Sequence, residues 1–280
     1  MKDAGAVVSH IANTTKRKAS DAKDSMVDAM DANGNREFDI EYIIIYGPKI
    51  PGIHMDRGNF QRKEFMKRYP QDVINDAVRY NPAHAKIPRE DIDEIADEVI
   101  KYERSLVSGI STALGMPGGI ARAATIPMDL GQYYGYMLRA AQKLMYLYGF
   151  PEIDTTEKNQ TFDSETLNIL IFYLGAMYGV AGTYAALRGI AGAFAKGIEK
   201  KLLRAVLTQG IIYPIVKSVA KWFGIHMTQS VFANFFKKAI PAVGGAIGGD
   251  FTFLSFKPRC DKLKSFLRDT LLSNPQTCGI

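Results

Sequence analysis

Cysteine is nearly absent from this chain. Only Cys260 and Cys278 occur, with no CxxC pair and no zinc-type spacing. That excludes a dithiol redox motif, a cysteine-built zinc site and a disulfide-dense secreted scaffold. One bridge between the two thiols is compatible with the pattern but nothing requires it. Histidine is equally sparse: His10, His54, His84 and His226 are scattered and form no HExxH. There is no GxxxxGK[ST] and no GxSxG, and the glycines follow no strand in the dinucleotide-binding pattern. The stretch GAFAKG at 192–197 is only superficially like a phosphate loop. With the common catalytic signatures missing, the expectation is a protein that is not an enzyme. The first residues also lack a secretory pattern: Asp3 follows Lys2, and Ser9 and His10 break the short apolar run 4–12. A cytoplasmic protein with reduced thiols is therefore expected.

Acidic side chains are scarce in one part only. Residues 1–104 hold 17 basic and 19 acidic side chains, net −2, whereas residues 105–280 hold 18 basic and 10 acidic, net +8. A basic C-terminal part points to an anionic partner. The mean hydropathy of −0.08 argues against several membrane spans.

Charge disappears altogether over residues 166–187. As one helix these 22 residues would extend about 33 Å, the thickness of a bilayer core. Asn168, two threonines, three tyrosines and three glycines dilute the segment, so it reads either as a span or as the buried core helix of an all-α domain. Glycine recurs at four-residue steps, at Gly115/Gly119, Gly131/Gly135, Gly175/Gly179 and Gly244/Gly248, with a further small ridge at Gly189, Ala193 and Gly197. Residues four apart share a helix face, and small ones let two backbones approach closely. These glycines are expected to pack helix against helix, and such faces are also compatible with an oligomer.

The expected architecture is all-α. Residues 1–88 form a small, loop-rich helical region, and residues 89–280 form a compact domain of glycine-faced helices. Turn signals crowd residues 47–90, which read as a decorated connection outside the core. From Pro88 onward a strong helix is expected: acids fill its first turns, and Ile92, Ile95, Val99 and Leu106 fall near one face. Its many carboxylates, from Glu90 to Glu103, read as solvated.

Residues 31–42, DANGNREFDIEY, align with a calcium-binding EF-hand loop through Asp31, Asn33, Asn35, Glu37 and Asp39. Two positions break the pattern. Arg36 stands where glycine makes the sharp turn, and Tyr42 replaces the bidentate Glu. The loop reads as vestigial, held by local side-chain hydrogen bonds, or as a weak calcium site into which Glu41 reaches. No other cofactor is indicated.

Residues 196–238 carry Lys196, Lys200, Lys201, Arg204, Lys217, Lys221, Lys237 and Lys238 against the single acid Glu199, with Trp222 and Phe223 among them. This is the composition of basic amphipathic helices, either the solvated side of a bundle or a surface for anionic lipid. Nucleic acid is not expected, because the aromatics interleave with aliphatics as in a core and no nucleic-acid motif is present. Asp129 and Asp250 each stand nearly alone among apolar residues, and Arg122 precedes Asp129 by about two helical turns. Asp129 reads as a first-turn acid following Pro127 and facing the helix dipole. A buried ion pair or ligand site, or a catalytic acid, are the alternatives for these three residues.

Residues 109–151 contain Pro-Gly-Gly at 117–119, Pro-x-Asp at 127–129, Gln132 before aromatics, and QKLMYLYG at 142–149. Residues 237–251, KKAIPAVGGAIGGDF, form a second, glycine-rich match. Together these resemble the EcsC family of bacterial proteins. The resemblance implies a helical protein associated with the membrane, accessory to transport or envelope processes, and brings no catalytic residue with it. The expected function is thus non-enzymatic association, peripheral or conditionally inserting, with an anionic membrane surface or a membrane protein, at the cytoplasmic face. A soluble helical adaptor for a protein partner, and an enzyme built on Asp129 with Arg122 or on Asp250, are the competing expectations.

Overall fold

The computed structural model describes residues 54–115, 121–152, 165–196 and 247–274; for 109–115, 121–132, 165–171 and 247–252 the description is of backbone alone. The described residues are all helical, without a strand: α1 Arg57–Phe65, α2 Gln71–Arg79, α3 Arg89–Gly115, α4 Ala121–Leu147, α5 Glu165–Tyr178, α6 Thr183–Ala195 and α7 Ile247–Arg268, followed by a 3₁₀ turn Leu271–Ser273.

The long α3 is the spine. It starts directly after Pro88, whose carbonyl accepts from the Ile92 N–H, with Glu90 and Asp91 in the first turn beside the positive helix end. Its buried stripe runs through Ile92, Ala96, Val99, Glu103 and Val107, three or four residues apart. The C-terminal α7 lies along it, burying Phe256, Cys260, Leu263 and Leu267 at the same spacing, and also touches α4 and α5. Helix α4 packs on α3 and α5, and α6 packs on α5 and the 3₁₀ turn. Cys260 is a reduced, fully buried member of this seam, and burial pushes its thiol pKa up, as for an inert core residue.

Residues 54–88 are not a decorated connection. Phe60, Phe65, Ile74, Ala77, Ala83 and Ile87 are buried in the same cluster as the rest of the core. Polar clips that turn signals do not reveal tie this segment to α4. Gln61 donates to the Tyr146 carbonyl at 2.7 Å, and the Gln142 side-chain carbonyl accepts from the Met55 N–H at 3.3 Å. Asp56 caps α1 by accepting from the Asn59 N–H.

The uncharged run 166–187 is not one helix. It stops at Tyr178 and restarts at Thr183. Gly179 has φ +72°, its N–H donates to the Ala176 carbonyl, and the Val180 N–H donates to the Gly175 carbonyl at 2.8 Å. That paired geometry closes a helix end with a left-handed glycine. Thr183 then bonds back to the Val180 carbonyl, and the Tyr184 hydroxyl donates to the Ala176 carbonyl across the turn. No helix among the described residues is long and apolar enough to cross a membrane. The end of α4 is built the same way: Gly149 has φ +90° and the Phe150 N–H donates to the Met145 carbonyl.

Candidate functional site

Glu103 lies on the apolar stripe of α3 with its side chain fully buried. One of its oxygens, Oε1, accepts from Lys143 Nζ at 2.5 Å and from Arg139 Nε at 3.2 Å, both on α4. The other, Oε2, accepts no hydrogen bond among the described residues. The two cations are themselves almost enclosed, with side chains 7% and 15% exposed. Burial lowers the pKa of Lys143, and the adjacent Glu103 opposes that shift by favouring the charged ammonium. The ammonium also sits 5.4 Å from the Phe60 ring and 5.5 Å from the Tyr102 ring, within reach of both π-faces.

Lys143 and Arg139 form the inner wall of a cavity of about 450 Å³ between α1, α3 and α4. Phe60, Val99, Tyr102 and Met55 supply its apolar surface. Its acids are engaged at the margin: Glu64 pairs with Lys67 at 2.5 Å, and Glu98 with Arg68 at 2.9 Å. Chemically, the arrangement offers a partly desolvated cation facing a partly open cavity of ligand size with a mixed polar and apolar lining.

A second polar group lies where α4, α5 and α7 meet. Tyr133 shares a hydrogen bond with Ser255 at 3.0 Å, and the Arg259 guanidinium stands 4.3 Å from the Tyr178 ring. Burial raises the pKa of Tyr133, Tyr134 and Tyr178, so all three stay neutral donors at ordinary pH. On α7, Phe253 and Leu254 are exposed, at 41% and 73%, and the Arg104 guanidinium lies 4.0 Å from the Phe253 ring.

The residues singled out from the sequence are placed unevenly. Lys196 is exposed just beyond α6. Lys200, Lys201, Arg204, Lys217, Lys221, Trp222, Lys237, Lys238 and Gly244 lie outside the described residues, as does the calcium-type loop with Asp31, Asn33, Asn35, Glu37 and Asp39. Gly131 is within α4 and Gly248 within the first turn of α7, both described by backbone alone. Gly135 and Gly175 are buried in α4 and α5. Gly179 is not a packing face. It is an exposed helix terminator, and a Cβ there would meet only the end of Lys262, 2.9 Å away. Gly189 is exposed, with nothing within 4 Å of a built Cβ. Arg122 and Asp129 fall on α4 and Asp250 on α7, again as backbone alone. Helix α4 begins six residues before Pro127, so Asp129 is an interior residue of the helix rather than a first-turn one.

Sequence reasoning missed Glu103, Arg139 and Lys143. The signal was present in register: Glu103 is four residues after Val99 and four before Val107, both buried. Lys143 likewise sits inside an unbroken buried run from Ala140 to Phe150. No protein-family model, curated protein or solved structure matches this chain.

Proposed function

We propose that this chain is a non-enzymatic helical protein that associates peripherally with an anionic membrane surface. The observation that carries the reading is the exposed Phe253–Leu254 pair on α7, flanked by Arg104. In the chain this helix follows the stretch 196–238, with its eight basic side chains and one acid. Exposed apolar groups beside cations suit the lipid interface, where the rings and aliphatic groups enter the acyl boundary and the cations meet headgroups. The magnitudes divide the work. Burying a Phe and a Leu contributes roughly 1.5–3 kcal/mol each, which alone gives about millimolar attraction. Each basic residue near an anionic leaflet adds about 1 kcal/mol, so the cations decide the affinity and make it salt-dependent. The likeness of residues 109–151 and 237–251 to the EcsC family supports the same reading, with a role accessory to membrane transport or envelope processes.

Vesicle flotation tests it. The chain is expected to float with phosphatidylglycerol-containing vesicles at low salt and to be released at high salt. Phe253→Ser combined with Leu254→Ser is expected to cut recovery several-fold. Equal recovery with neutral and anionic vesicles, or none with either, overturns the proposal. In the latter case a protein partner on the same apolar pair becomes the better account.

A further inference from the structure

We propose that the cavity between α1, α3 and α4 is a binding site for a small organic monocarboxylate, whose charged end meets Lys143 beside Arg139. The ammonium of Lys143 carries three donors, of which one goes to Glu103 among the described residues. It lines the cavity directly, so an acceptor in the chamber can reach it without displacing a protein group. The volume of about 450 Å³ falls within the range of small-molecule sites.

The charge of the ligand follows from what surrounds the cation. Lys63, Lys67, Arg139 and Lys143 line the cavity against Asp56, Glu64 and Glu98, an excess of one positive charge. A single carboxylate balances that one excess charge, whereas a multiply charged anion such as phosphate over-compensates it. The body of the ligand follows from Phe60, Val99, Tyr102 and Met55, which offer aromatic and aliphatic surface beside the polar side chains of the lining. A hydrocarbon or single-ring acid satisfies both halves. Glu103 then acts as a positioning residue: it keeps the lysine charged and fixes its end against the two flanking rings.

Isothermal titration with hexanoate and benzoate, set against hexanamide, benzamide and inorganic phosphate, tests the assignment. At least one carboxylate is expected to bind the full chain with a Kd of about 1 mM or tighter, and its amide and phosphate at least about tenfold more weakly. The double variant Glu103→Leu with Lys143→Met removes the buried carboxylate and its ammonium together, leaving Arg139, and is expected to lose about tenfold or more in carboxylate affinity. Equal binding of acid and amide, tighter binding of phosphate, no binding of either acid, or an unchanged Kd in the double variant overturns the proposal. If circular dichroism shows that the double variant does not fold, Tyr102→Ala decides. Tyr102 is 57% exposed, so its loss spares the core, and carboxylate affinity is expected to fall about threefold or more. Unchanged affinity there overturns the site.

Discussion

Glu103 shows how much one buried carboxylate can organise. Two cations from α4 converge on a single oxygen of it, and all three side chains are largely or fully withdrawn from bulk water. Removing one partner of such a group leaves the others charged and dry, which costs more than the assembled cluster contributes. Glu103→Gln, which leaves two cations facing each other, is therefore expected to destabilise the fold by about 3–5 kcal/mol in urea unfolding, whereas Glu103→Leu with Lys143→Met, which leaves only the partly exposed Arg139, is expected to cost less. A Gln variant within about 1 kcal/mol of the parent would contradict the assignment. From sequence, the carboxylates between Glu90 and Glu103 look alike, because composition does not distinguish the faces of a helix. Only register does: Glu94 and Glu98 point to the solvent side and pair with Arg68, while Glu103 shares the stripe of Val99 and Val107.

Among the elements, glycine does two different jobs that the four-residue spacing conflates. Gly149 ends α4 in a left-handed conformation, and a Cβ there would stand 2.7 Å from the Leu272 carbonyl oxygen, a backbone atom that cannot swing aside. Gly149→Ala is expected to cost on the order of 2 kcal/mol or more, combining the left-handed penalty with that clash. Gly189 is inside α6 with open space around it, so Gly189→Ala is expected to stabilise by about 0.5–1 kcal/mol. Thermal melts of the pair check both signs, and a destabilised Gly189→Ala would mean that this helix face is covered. The helices themselves were largely legible. Pro88 and the acids after it mark the start of α3, and the apolar stripe of that helix marks its buried face. The break at 179–182 was not, because an uncharged run shows neither caps nor ends unless glycine is read as punctuation. Nor was the passage of α4 through Pro127, where a proline that ordinarily marks a first turn lies in the interior of a helix held by α3, α5 and α7.

At the scale of the molecule, a hydrophobic cluster among the described residues joins 54–88 to the later helices, so the expected regional division at 88/89 crosses a continuous packing cluster. That cluster is rich in tyrosine. Tyr133, Tyr134, Tyr173 and Tyr178 have pKa values raised by burial, and Tyr148 by burial together with its hydrogen bond to Asp93. The ordinary value is about 10. Above it the unfolded chain releases phenolic protons that the folded chain retains, so their stabilisation is complete below pH 10 and is lost as pH rises beyond it. Alkaline titration is expected to show tyrosinate absorbance and loss of helical circular dichroism appearing together above about pH 10. Tyrosines that all titrate near pH 10 with the helix intact would contradict the packing. Lys143 works in the opposite sense, since its lowered pKa favours the folded state as pH rises towards the ordinary lysine value, and the tyrosines outnumber it.

The proposed membrane association would engage the whole chain, and Trp222, the single tryptophan, stands within the basic stretch that would make contact. Its fluorescence, titrated with vesicles containing brominated lipid, is the most direct measurement. A blue shift and quenching are expected with anionic vesicles, both reversed by high salt, and neither with neutral vesicles. An emission spectrum indifferent to anionic vesicles at low salt, or one that responds equally to neutral ones, would contradict it.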